Sequence, residues 1–118
     1  MARTITANYP TGLTLTIPAS ALKSGQAVLN FGVALETAFV ETYLGAVDTL
    51  TSNDLKLVAA KVAANEATHF SFFDAAAGGH GVLPSLPSTV TVAQAATVLT
   101  PYIPNLTARL TAAGFPDA

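Results

Sequence analysis

Glu36, Glu66 and His69 are the residues whose types and spacing point to chemistry, with Tyr43 on the same helical stretch as Glu36. Two carboxylates and one imidazole are the donors of a cation site. Carboxylate oxygens with a single ring nitrogen suit iron or manganese, and zinc less distinctively.

The elements that must position them can be read from periodicity. Leu29, Val33, Val40, Tyr43, Val47 and Leu50 follow a four-three alternation that would be unbroken if residue 36 were apolar, and residue 36 is Glu. Downstream, Leu55, Val58, Ala59, Val62, Phe70 and Phe73 form a second stripe, with Glu66 and His69 in its gap. Two antiparallel helices are therefore expected, joined through Asp48-Thr49-Leu50-Thr51-Ser52-Asn53-Asp54. Glu36 and Glu66 each lie about fifteen positions from the centre of that connection, which sets the two carboxylates at one level of the hairpin. His69 follows Glu66 by three positions and shares its face. A carboxylate in an apolar seam costs several kcal/mol unless a cation or a proton compensates it. Lys56 and Lys61 fall off the Glu66 face, so a bound metal is the economical partner.

Composition narrows the remaining classes. With 118 residues, 51% of them hydrophobic, the chain is one domain with a small core. Net charge is −2 and no Lys/Arg cluster occurs, which argues against nucleic acid as partner. The absence of cysteine excludes disulfides, thiolate metal sites and thiol catalysis. No apolar run is long enough to span a membrane, and no apolar segment follows Arg3 to suggest a secretory signal, so a soluble protein is expected.

Residues 1–19 read as an extended N-terminal arm or hairpin, with alternating Thr4-Ile5-Thr6 and Leu13-Thr14-Leu15-Thr16-Ile17 on either side of the turn cluster Asn8-Tyr9-Pro10-Thr11-Gly12. Residues 20–78 form the helical hairpin. Its first helix starts between Ser20 and Ser24 and ends near Leu50; its second is capped from Thr51-Ser52-Asn53 and stops at Gly78-Gly79. Residues 79–118 continue the same domain as a Pro/Gly loop and two short helices. One covers Val92 to Thr100, between Thr91 and Pro101; the other covers Asn105 to Ala113, stopped by Gly114. Neither supplies a Glu, His or Asp. His80, in the loop, reads as a solvated side chain, and Glu41, about 140° around the helix from Glu36, as a surface charge.

Glu36-x6-Tyr43 followed by Glu66-Ala67-Thr68-His69 resembles the ferritin-like superfamily. The wording of residues 35–46 and 65–69 looks most like its ferritin-like-domain and desiccation-related branch. The resemblance covers roughly residues 26–77. It implies that Glu36 is a terminal metal ligand, that Glu66 bridges two metals, that His69 binds through a ring nitrogen and that Tyr43 is a hydrogen-bonding neighbour. It also implies iron as the usual metal, with oxidation of Fe(II) or reduction of oxygen or peroxide as the usual chemistry.

That family builds its site from a Glu on each of two helices and a Glu-x-x-His pair on each of two more. This chain supplies half the set, on two long helices. A two-fold homodimer would assemble the four-helix bundle and gather four carboxylates and two imidazoles, enough for two ions per dimer. The expected fold class is therefore all-α, an antiparallel hairpin completed by homodimerisation. Two function classes follow: a di-iron oxidase or iron-handling protein, or a metal-free helical structural or stress-related module that keeps the carboxylates as a polar network.

Overall fold

A computed structural model describes residues 5–8, 14–84 and 87–112. Residues 9–12 of the turn cluster, and Gly114, lie outside them. Two strands, β1 (Ile5–Asn8) and β2 (Thr14–Ile17), pair antiparallel with Ile5 opposite Ile17 and Asn8 opposite Thr14. A short 3-10 turn over Ala19–Leu22 leads into α1 (Gly25–Thr49), which packs antiparallel along α2 (Asn53–Ala77). Two short helices follow, α3 (Val92–Leu99) and α4 (Leu106–Ala112).

The helix ends obey the side chains found there. Ser24 caps α1 by accepting from the Ala27 N–H, and Ser52 caps α2 by accepting from the Leu55 N–H. Asp54 sits in the first turn of α2, where the dipole favours negative charge. Gly78 ends α2 in the left-handed conformation, φ 99°, which glycine reaches without the Cβ penalty. Thr91 and Gln94 form a reciprocal capping box at the start of α3. The connection between the long helices is only residues 50–52, shorter than the seven-residue span expected, yet its centre stays at residue 51. At the open end of the hairpin, Gln26 Nε2 donates to the Ala77 carbonyl at 3.1 Å.

The core differs from the expected stripes on both helices: of the α1 stripe only Val40 is buried, and Leu29, Val33, Tyr43, Val47 and Leu50 are half-buried. On α2 the buried residues are Ala59, Ala63 and Phe70, whereas Leu55 and Val58 are 53% and 55% exposed. Small residues win the α1 contact because they let the backbones approach; the larger Leu55 and Val58 are left on the flank. On α1, Gly32 does the same, since a Cβ there would collide with the Phe73 ring.

Helix α1 is covered on two sides. Glu36 and Val40 are buried on its α2 side, while Ala38 and Gly45 are buried away from it, toward α3 and the preceding segment. A Cβ at Gly45 would collide with the Val90 carbonyl oxygen, and Val90 N–H donates to the Glu41 carbonyl. Phe31 meets Tyr102 edge-on at 5.1 Å, and the Tyr102 carbonyl accepts from Thr16 N–H at 2.7 Å. The N-terminal hairpin is thus tied to the C-terminal segment across α1. Among the described residues no helix is long and apolar enough to cross a membrane.

Candidate metal centre

The matched hairpin delivers Glu36, Glu66 and His69 to one point: one donor atom from each lies within 4.8 Å of the others. His69 Nδ1 is 2.8 Å from Glu66 Oε2 and 3.6 Å from Glu36 Oε2. The Glu36 and Glu66 side chains are 12% and 17% exposed, whereas His69 is 48% exposed. The cluster is enclosed on the carboxylate side and open at the imidazole.

The electrostatics follow from this placement. Burial, and then the neighbouring Glu66 carboxylate, push the Glu36 carboxyl up to about 7, against the opposing pull of His69. Hydrogen bonding to Glu66 raises the His69 imidazole above its ordinary value. No lysine or arginine reaches either carboxylate among the described residues, and the buried Glu36 Oε2 has no hydrogen-bond partner. An orphaned carboxylate oxygen facing a carboxylate and an imidazole is a donor set short of a cation.

Asn65, one turn before His69, was not singled out by sequence reasoning as a site residue. Its Nδ2 is 3.4 Å from His69 Nε2, and His69 Nδ1 faces Glu66 Oε2, an arrangement that suits the tautomer with its proton on Nδ1. The four-residue spacing from His69 is the signal that could have found it. Tyr43 lies two turns along α1 from Glu36, and its hydroxyl makes no hydrogen bond among the described residues. His80 is exposed and outside the cluster, and Glu41, half-buried, contributes only its backbone carbonyl to the Val90 contact.

The residues around the cluster explain its opening. Helix α2 carries two adjacent rows at three-four spacing. Ala59, Ala63, Glu66, Phe70, Phe73 and Ala77 face α1. Leu55, Val58, Val62, Asn65, His69, Phe72 and Ala76 form the second row, all exposed except the half-buried Val62. His69 belongs to this open row and Glu66 to the closed one. Gly81, beyond the end of α2, lies beside Ser71 and Ala75, residues of neither row.

A family model for the ferritin-like domain matches residues 1–79, about two thirds of the chain, and the protein belongs to that family. No curated protein and no solved structure matches it significantly. The family and the Glu/Glu/His cluster are together consistent with metal binding.

Proposed function

We propose that the protein is a ferritin-like metal protein in which Glu36, Glu66 and His69 hold iron at a two-metal site shared by two copies of the chain. The observation that carries this reading is the unpartnered, buried Glu36 Oε2 beside Glu66 and His69. Hard oxygen donors with one imidazole fit iron or manganese, with zinc a poorer match. Glu36 supplies a terminal carboxylate from α1. Glu66, between Glu36 and the open row, would hold the metal with a second carboxylate, and His69 would contribute Nδ1 once its proton has left. When bound, the metal pair supplies redox chemistry toward oxygen or peroxide at the cost of Fe(II) oxidation.

The chain's own residues prepare that event. Glu36 must lose the proton that burial favours, and His69 must move its proton from Nδ1 to Nε2. Asn65 serves both forms of the ring, because rotating its amide by half a turn presents oxygen in place of nitrogen to Nε2. Three donors per chain satisfy one ion poorly, whereas two-fold doubling gives four carboxylates and two imidazoles. The hairpin 20–78 is the functional unit on this reading, with Ala19–Leu22, Val90, α3 and Tyr102 bracing α1.

Metal content measured by plasma mass spectrometry, in line with light scattering, tests the proposal. About two iron or manganese ions per dimer, absent from Glu36→Ala and Glu66→Ala, are expected. A protein that stays empty after anaerobic Fe(II) and Mn(II) loading sinks it and leaves the carboxylates as a polar network within a metal-free helical module.

A further inference from the structure

The open row of α2 runs from Leu55 to Ala76, about 30 Å of helix, without a single Lys, Arg, Asp or Glu. Leu55, Val58 and Phe72 on it are 53%, 55% and 68% exposed. We infer that this row is the seam on which a second copy of the chain docks, α2 against α2 in antiparallel sense, crossing at Asn65. The inference rests on the two-metal reading for its meaning, and it names the face and register that the shared site requires.

Three features select a second copy as the occupant. First, the cluster beneath the row has three donors, and its most exposed member, His69, lies on the row, so a cover over the row meets the cluster. Second, the row is complementary to its own reverse. Turned end for end about Asn65, it sets Val58 beside Phe72, brings Leu55 toward Ala76, a large side chain against a small one at each end, and lays Val62 toward His69. Third, its two polar members sit at the centre. Asn65 meets Asn65 of the partner subunit at the crossing, where two amides satisfy each other. Sliding the pair by one heptad would bury each amide against Val58 or Phe72 with no partner. The same crossing places the two Glu66 carboxylates at one level, with the two imidazoles one turn to either side of the axis.

The chain contains no cysteine, so introduced cysteines report the register directly. In the full chain, with EDTA present to keep metal out, Val58→Cys/Phe72→Cys is oxidised with diamide at micromolar protein. Covalent dimer is expected about a hundredfold faster than for Ala60→Cys, an exposed residue on the opposite side of α2, because docking raises the local thiol concentration to millimolar. Single Val58→Cys and Phe72→Cys should stay unlinked. Val58 and Phe72 lie outside the core, and unchanged circular dichroism verifies that the hairpin is intact. Equal rates for Ala60→Cys and the double variant, or self-linking of Val58→Cys alone, overturn the seam. Linked protein that takes up no metal would leave the seam standing and remove the metal reading; metal uptake without linking would do the reverse.

Discussion

His69 Nδ1 lies 2.8 Å from Glu66 Oε2, one turn back on the same helix, so an imidazole protonated at Nδ1 directs that proton at the Glu66 carboxylate. In the metal-free protein this proton and the one on Glu36 are what relieve the clustered negative charge.

Metal-free stability should therefore fall as pH rises. Glu36 has a folded value of about 7 against 4.5 unfolded, so its contribution is complete below 4.5 and is lost on the way to about 7. His69, also raised, contributes below 6.5 and loses that contribution as pH passes its folded value, which reinforces the trend. Urea midpoints of the EDTA-treated protein from pH 5 to pH 8, beside those of Glu36→Gln, measure it. The wild-type midpoint should drop across this range more steeply than the variant's; parallel curves refute the assignment.

Glu36→Gln removes a buried charge whose one basic neighbour among the described residues is the half-exposed His69. At pH 8 the variant should be more stable than wild type by about 1–2 kcal/mol when both are metal-free. Fe(II) or Mn(II) at a hundred times the wild-type dissociation constant should reverse the order, adding about 2.7 kcal/mol to wild type only. Anaerobic melting with and without metal decides both halves.

Asn65→Ala removes the group that meets Nε2 of His69 without touching a donor atom. Loss of such an orienting partner typically weakens metal binding about 10- to 100-fold. Isothermal titration with Mn(II) should show that loss, and Asn65→Gln should not rescue it, because the longer side chain misplaces the amide. Ring-nitrogen NMR shifts of metal-free His69 should keep the Nδ1-protonated pattern in Asn65→Ala, because Glu66 still accepts that proton, while the Nε2 signal alone moves.

Two glycines on α1 should respond oppositely to alanine. Gly25 has open space where a Cβ would stand, so Gly25→Ala should stabilise by about 0.5–1 kcal/mol through helix propensity. At Gly45 the Cβ meets the Val90 backbone, and Gly45→Ala should cost about 1–2 kcal/mol net. Val90 amide exchange should accelerate in that variant alone, since its hydrogen bond to the Glu41 carbonyl is the contact displaced.

Much of this fold was legible because punctuation is local. Ser52, Gly78 and Thr91 act on their own helix ends, and the structure places caps at all three. The clustering of Glu36, Glu66 and His69 followed from equal distances to one short turn. What periodicity could not separate was which of two adjacent rows on α2 meets α1. Val58 and Ala59 are neighbours about 100° apart, and hydrophobicity alone favours valine for the core. Close backbone approach favours alanine, and that is a property of the pair of helices. The proton arrangement at His69 was hidden for a similar reason: Asn65 becomes informative only once the ring's orientation is known.

The unequal bracing of the long helices bears on how the centre would take up its cation. Within its own chain α1 is gripped from both sides, so Glu36 is the stationary jaw; Glu66 and His69 ride on α2, which its own chain holds only through α1, the row beyond being left to the partner's α2 on the proposed seam. Adjustment around an arriving ion thus falls to α2, and its trace should be selective: deuterium uptake slows along α2 upon loading, while α1 exchanges as slowly before as after.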